Sequence, residues 1–148
     1  MAMLNAITLS QIYVLDQQAA LDFYVGKLGL VVKNDIDMGF MRWLTVALPG
    51  DPSREVLLEV PGPPAMDPAT AERVRDLVTK GATGGWIGFT CTDIYALYES
   101  LRAKGVEFTQ EPVERFYGID CGLRDPFGNA IRISQMKPES EWGDPRSS

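Results

Sequence analysis

The sequence predicts an α+β fold made of two tandem βαβββ modules, and three observations carry that prediction. Twice, an alternating apolar run leads to a capping aspartate, a stretch of helical periodicity and a terminating glycine: Ile7 to Leu15 with Asp16 and Gly29, then Trp86 with Asp93 and Gly105. Landmarks recur at a nearly constant interval. Asp93 lies 77 residues after Asp16, Gly105 lies 76 after Gly29, Gly118 lies 79 after Gly39 and Arg132 lies 73 after Glu59. A proline- and glycine-punctuated segment with a single helical pattern separates the copies. Such repetition implies two sheets related by a pseudo-twofold axis, neither half being stable alone.

In the first module, Ile7 to Leu15 alternates as a strand with Leu9, Gln11 and Tyr13 on one face. Asp16 caps a helix whose apolar positions are Ala20, Tyr24 and Leu28, and Gly29 ends it. Leu30 to Val32 starts a second strand and Met41 to Val46 forms a third. The Pro49-Gly50-Asp51-Pro52 turn then leads into a fourth, Glu55 to Val60. Asp67-Pro68 supplies the cap and first-turn proline of a connecting helix that runs to about Thr79.

The second module repeats the order. Trp86 to Asp93 is a strand ending on a cap, and Ile94, Leu97 and Leu101 mark the helix. Val106 to Thr109, a strand opened by Gly118, and a last strand delivered by the Asp125-Pro126-Phe127-Gly128-Asn129 turn follow. In that last strand Ile131 and Ile133 share one face and Arg132 takes the other. The expected boundaries are a single domain over 1–135, with module one at about 5–61, the helical connector at about 62–85 and module two at about 86–135. The polar, aperiodic tail, 136–148, is expected to be mobile unless Trp142 docks.

Composition excludes several classes. Fourteen basic against twenty acidic residues give a formal charge of -6, which disfavours nucleic acid as a partner. No apolar run approaches the roughly 18 residues of a membrane span, and the N-terminus lacks the pattern of a secretory signal, so no membrane partner and a cytoplasmic location are expected. Cys91 and Cys121 have no metal-type spacing and are expected to be small buried thiols. The absence of histidine removes the commonest transition-metal ligand and the usual proton-transfer group near neutral pH.

Paired βαβββ units, a capping Asp before each first helix, Phe23-Tyr24 followed by Leu28-Gly29, and the closing Asp-Pro-Phe-Gly-Asn turn resemble the vicinal oxygen chelate superfamily over roughly residues 5–135. That superfamily includes glyoxalases, extradiol dioxygenases, fosfomycin-resistance enzymes and bleomycin-resistance proteins. The resemblance implies a curled mixed sheet enclosing a cleft, and a homodimer. It also implies where a metal would be held, at first-strand positions that fall on Leu9 and Trp86 and fourth-strand positions that fall on Glu59 and Arg132. One carboxylate, two hydrophobes and a guanidinium do not make a divalent-ion site, and exchanging Leu9 for Gln11 by a register slip leaves Trp86 and Arg132 unchanged. No metal and no other cofactor is expected.

Where the ion would sit, the resemblance puts Arg132 opposite Glu59, as a bidentate pair or as two solvated charges. Gln11, Tyr13, Trp43, Thr45, Trp86 and Thr90 fall on the faces shared with these two, and aromatic walls with few polar groups suit a small organic ligand. The Glu111 to Asp120 segment reads as a loop whose Phe116 and Tyr117 form either a lid or a cover for the sheet edge. Asp120 and Arg124 share strand parity and read as a solvated polar pair. The expected ligand-binding residues are therefore Gln11, Tyr13, Trp43, Glu59, Trp86, Tyr117 and Arg132.

Three functions fit. The first is metal-independent binding of a small molecule, including sequestration of the bleomycin-resistance type. The second is a lyase, isomerase or dioxygenase-like enzyme with Glu59 as its catalytic residue, so enzymatic activity stays open. The third is a structural homodimer whose cleft is filled by side chains. No serine elbow and no phosphate-binding glycine loop points elsewhere.

Overall fold

A computed structural model describes residues 3–147. The chain divides into two compact units, 1–85 and 86–148, each built on one four-stranded mixed sheet. The first contains β1 (Leu9–Tyr13), α1 (Gln17–Tyr24), β2 (Val31–Asp37), β3 (Arg42–Leu48), β4 (Asp51–Glu59) and α2 (Pro68–Thr79). The second contains β5 (Ile87–Thr90), α3 (Ile94–Ala103), β6 (Phe108–Arg115), β7 (Gly118–Arg124) and β8 (Ala130–Met136). Strand orders are β1-β4-β3-β2 and β5-β8-β7-β6, with β1 and β5 parallel to β4 and β8 and the remaining pairs antiparallel. The α+β class and the duplicated βαβββ order are thus those of the sequence.

Local chemistry sets the helix ends. The carboxylates of Asp16, Asp67 and Asp93 accept from the backbone N–H groups of Ala19, Thr70 and Ala96, satisfying donors that a first turn leaves open. α1 stops at Tyr24, before the predicted end, in a widened turn where Gly26 and Leu28 donate to carbonyls five residues back. Its Ala20, Phe23 and Tyr24 are buried, and α1 packs against β4. In the second unit α3 packs against β6 and β8, burying Ile94 and Leu101 with Leu123, Ile131 and Ile133 in the core.

Three strands are longer than their sequence signals. β2 continues to Asp37 and β4 begins at Asp51, because the hairpin closes through Pro49-Gly50 alone. β6 extends to Arg115, so the segment predicted as a loop is a β6-β7 hairpin with Phe116 and Tyr117 at its turn. Pro112 concealed this, since proline breaks a ladder. It is tolerated because it falls in the register shift between Gln110 and Val113. After β8, Trp142 packs edge-on against Phe116 at 5.5 Å between ring centroids, and its Nε1 donates to the Lys137 carbonyl. No helix among the described residues is long and apolar enough to cross a membrane.

Candidate functional site

The second sheet brings a charged group together through its register. β7 and β8 are joined by the tight turn in which the Asp125 carboxylate Oδ1 accepts from the N–H groups of Phe127, Gly128 and Asn129. That turn aligns Arg124 with Ala130, and the ladder then sets Gly122 against Arg132 and Asp120 against Ser134. On the other side of β8, Gly88 of β5 stands against Arg132. Arg132 therefore lies in a row between two residues without side chains. A methyl on Gly122 would come within 3.0 Å of the Arg132 guanidinium and 3.0 Å of Thr109 Oγ1. The gap at Gly122 lets the guanidinium lean along β7 to Asp120.

Arg132 Nη2 donates to Asp120 Oδ2 at 2.6 Å and to Gln110 Oε1 at 3.2 Å. The same carboxylate accepts from the Tyr117 hydroxyl at 2.6 Å and from Gln110 Nε2 at 3.3 Å, with Arg115 Nε 3.7 Å away. Asp120 is 5% exposed and Arg132 37%. Burial pushes the Asp120 carboxyl up, but the hydrogen bonds from Tyr117 and Arg132, the charge of Arg132 and the Gln110 amide outweigh it and hold the group below its ordinary value. Burial, then the bond to Asp120, raises the Tyr117 hydroxyl. Among the described residues every hydrogen bond of the Arg132 side chain uses Nη2, so Nη1 and Nε keep their donors. Trp86, 59% exposed, lays its ring over Gly88, on the β5 side of Arg132.

Two sequence readings are corrected here. The carboxylate held against Arg132 is Asp120, a neighbour in its own sheet, where the sequence offered Glu59. Arg124, taken as the partner of Asp120, instead donates to the Gly128 carbonyl within the turn. The positional match of Glu59 with Arg132 is also out of step. Val14 N donates to Glu59 O as Cys91 N donates to Ser134 O, so the counterpart of Glu59 is Ser134 and that of Arg132 is Leu57. Unequal loops in the two modules caused the slip of two residues.

In the first sheet, register puts Gln11 beside Leu57 and Tyr13 beside Glu59, with Thr45 across from Leu57 and Trp43 two residues along the same face. Thr45 and Leu57 are buried. Gln11 Nε2 is shielded from solvent without a hydrogen-bond partner among the described residues. Glu59 ends β4 on the wall of an open hollow of about 370 Å³ and makes no ion pair among the described residues. Burial alone raises its carboxyl above the ordinary 4.5, and burial followed by the charge of Glu59 raises the Tyr13 hydroxyl. A folded value above the unfolded one means stability that is present below the unfolded value and lost as pH rises through the folded value. Urea unfolding between pH 4 and 7 should therefore show a shallower decline for Glu59→Gln than for the native chain.

Cys121 is buried, and burial pushes its thiol up to about 11. It is a poor nucleophile at neutral pH. Among the described residues no group of three or more His, Cys, Asp or Glu side chains could hold a metal ion. Leu9, Trp86, Glu59 and Arg132 do not supply the donors a divalent ion needs.

Duplicated βαβββ units with capped first helices and the Asp125 turn define the vicinal oxygen chelate fold class. A family model described as the Glyoxalase/Bleomycin resistance protein/Dioxygenase superfamily matches residues 4–133. The chain belongs to that superfamily. It is 37% identical over 130 residues to the uncharacterized protein YurT of Bacillus subtilis (strain 168), covering 87% of this chain and 98% of that one. The crystal structure of UcmS2 matches with a TM-score of 0.83 at 40% identity, over 89% of this chain and 98% of that one. TnmS3, an antibiotic binding protein from Streptomyces sp. CB03234, matches with a TM-score of 0.73 at 26% identity, over 93% and 100%.

Proposed function

We propose that this chain is a metal-independent binding protein that takes up a small organic molecule, in the manner of antibiotic sequestration. The observation that carries the reading is Arg132. Its guanidinium is anchored through one nitrogen by Asp120 and Gln110, which leaves the Nη1 and Nε donors directed by a fixed group rather than by a mobile side chain. An anchored cation with spare donors and, over Gly88 in the neighbouring strand, the Trp86 ring offer one orienting polar contact and one aromatic surface, the combination that small-ligand sites use. Tyr117 holds Asp120 in place. In the first unit Gln11, Tyr13, Trp43 and Glu59 are the residues proposed to contact a ligand on that unit's own sheet. Leaving the Gln11 amide donor unpaired costs about 1 to 3 kcal/mol, which a ligand acceptor would offset. The similarity to TnmS3 supports an antibiotic as the kind of molecule bound.

A thermal-shift and fluorescence screen of aromatic antibiotics, bleomycin among them, tests this reading. A bound compound raises Tm by mass action. Arg132→Gln is expected to weaken the best hit at least tenfold while the variant still unfolds cooperatively. Stoichiometric metal in protein purified without chelator, or equal affinity in the variant, would overturn it.

A second reading, proton transfer by Glu59, is favoured by the raised carboxyl of that residue. Turnover of hemithioacetals or catechols that is lost in Glu59→Gln would establish it. On the binding reading the working form is a cytoplasmic homodimer, for which the exposed Val31, Val32 and Ile36 on edge strand β2 are available surface.

A further inference from the structure

The hollow at the end of the first sheet is lined by Gln17, Phe40, Met41, Arg42, Glu59 and the Val60 to Ala65 segment, all within one unit. Its wall carries one cationic and one anionic side chain. Both charged side chains on the wall differ in what they leave available. Arg42 donates through Nε and Nη2 to the two carboxylate oxygens of Asp35, each at 2.8 Å, so its charge is matched within β2 and β3. Glu59 makes no ion pair and accepts no side-chain hydrogen bond among the described residues.

The neutral groups lean the same way. Gln17 Nε2 donates to the Leu58 carbonyl at 2.9 Å and to the Arg42 carbonyl at 3.2 Å, which commits both amide hydrogens and leaves Oε1, an acceptor. Pro61, Pro63 and Pro64 bring no N–H, and the Pro61 carbonyl already accepts from Arg75 Nη2 at 2.7 Å. The rest of the wall is apolar, with Phe40 62% exposed and Val60 37% exposed. A hollow of about 370 Å³ falls within the roughly 300 to 1,000 Å³ of small-ligand pockets.

We infer that this hollow is a subsite for an organic cation, an ammonium group carried on an apolar body, with Glu59 as its counter-ion and Phe40 as its aromatic wall. An anion meets an unmatched carboxylate here. A protonated amine meets a carboxylate, an amide oxygen and a phenyl ring whose face attracts positive charge. The inference gives the chemistry of the Glu59 part of the binding reading, and it stands apart from the Arg132 part because the two lie on different sheets.

Calorimetric titration of the full chain with tryptamine, and with tryptophol as its neutral counterpart, tests it. Tryptamine is expected to bind at least tenfold more tightly than tryptophol. Glu59→Gln should abolish that preference, and Phe40→Ala should weaken tryptamine by about threefold, the ring being exposed enough for the change to leave the fold intact. The effect of Arg132→Gln is read on the antibiotic hit in a separate titration, so failure of the Arg132 reading and failure of this inference are distinguished. Equal binding of the two compounds, no heat with tryptamine at millimolar concentration, or an undiminished preference in Glu59→Gln would each overturn the inference.

Discussion

Asp120→Ala is expected to lower the unfolding free energy by about 2 to 3 kcal/mol, measured by urea denaturation at pH 7. The carboxylate is buried, and its removal leaves Arg132 with its bond to Gln110 and takes from the Tyr117 hydroxyl the acceptor it uses. Losing one member of a fully buried pair costs more, roughly 3 to 5 kcal/mol, but Arg132 is over a third exposed and water recovers part of the difference. The acid limb identifies the cause. Asp120 is held below its ordinary value, so its contribution is present above the unfolded value of about 3.8 and lost as pH falls through the folded one. The native chain should therefore lose stability on acidification that the variant has already lost. An unchanged urea midpoint would mean that the group is a solvated pair after all.

Gly118→Ala should be more damaging, costing at least about 3 kcal/mol. Gly118 opens β7 with φ of +150°, and an added methyl would press into the backbone carbonyl of Gln135 on β8. Gly84→Ala separates clash from backbone preference. Gly84 has φ of +88° but nothing within 4 Å of the added carbon, so that change should cost about 1 to 2 kcal/mol. Circular dichroism melts of the two variants side by side give the comparison. Similar losses for both would remove the Gln135 contact as the reason.

What the sequence disclosed was chemistry local in the chain. Asp16, Asp67 and Asp93 were legible as caps because each satisfies an N–H three residues on. The Asp125 turn was legible for the same reason. The Asp120 and Arg132 contact was not, although the signal existed: once the turn pairs Arg124 with Ala130, counting back along β7 sets Gly122 opposite Arg132 and Asp120 one pleat beyond. Reading parity along one strand gave the face, and only register between strands gave the neighbour. Glu59 was recognised from its position in β4, but its hollow was not, because Gln17, Phe40 and Pro61 come from a helix start, a hairpin and a loop.

The ring of Trp142 lies 6.4 Å from that of Tyr117, whose hydroxyl bonds to Asp120. Tyrosine emission overlaps tryptophan absorption, so at this separation light absorbed by Tyr117 is passed to Trp142 with high efficiency. A rearrangement that carries the Tyr117 ring well away from Trp142 lowers that transfer, one of several from the five tyrosines to the three tryptophans of the chain.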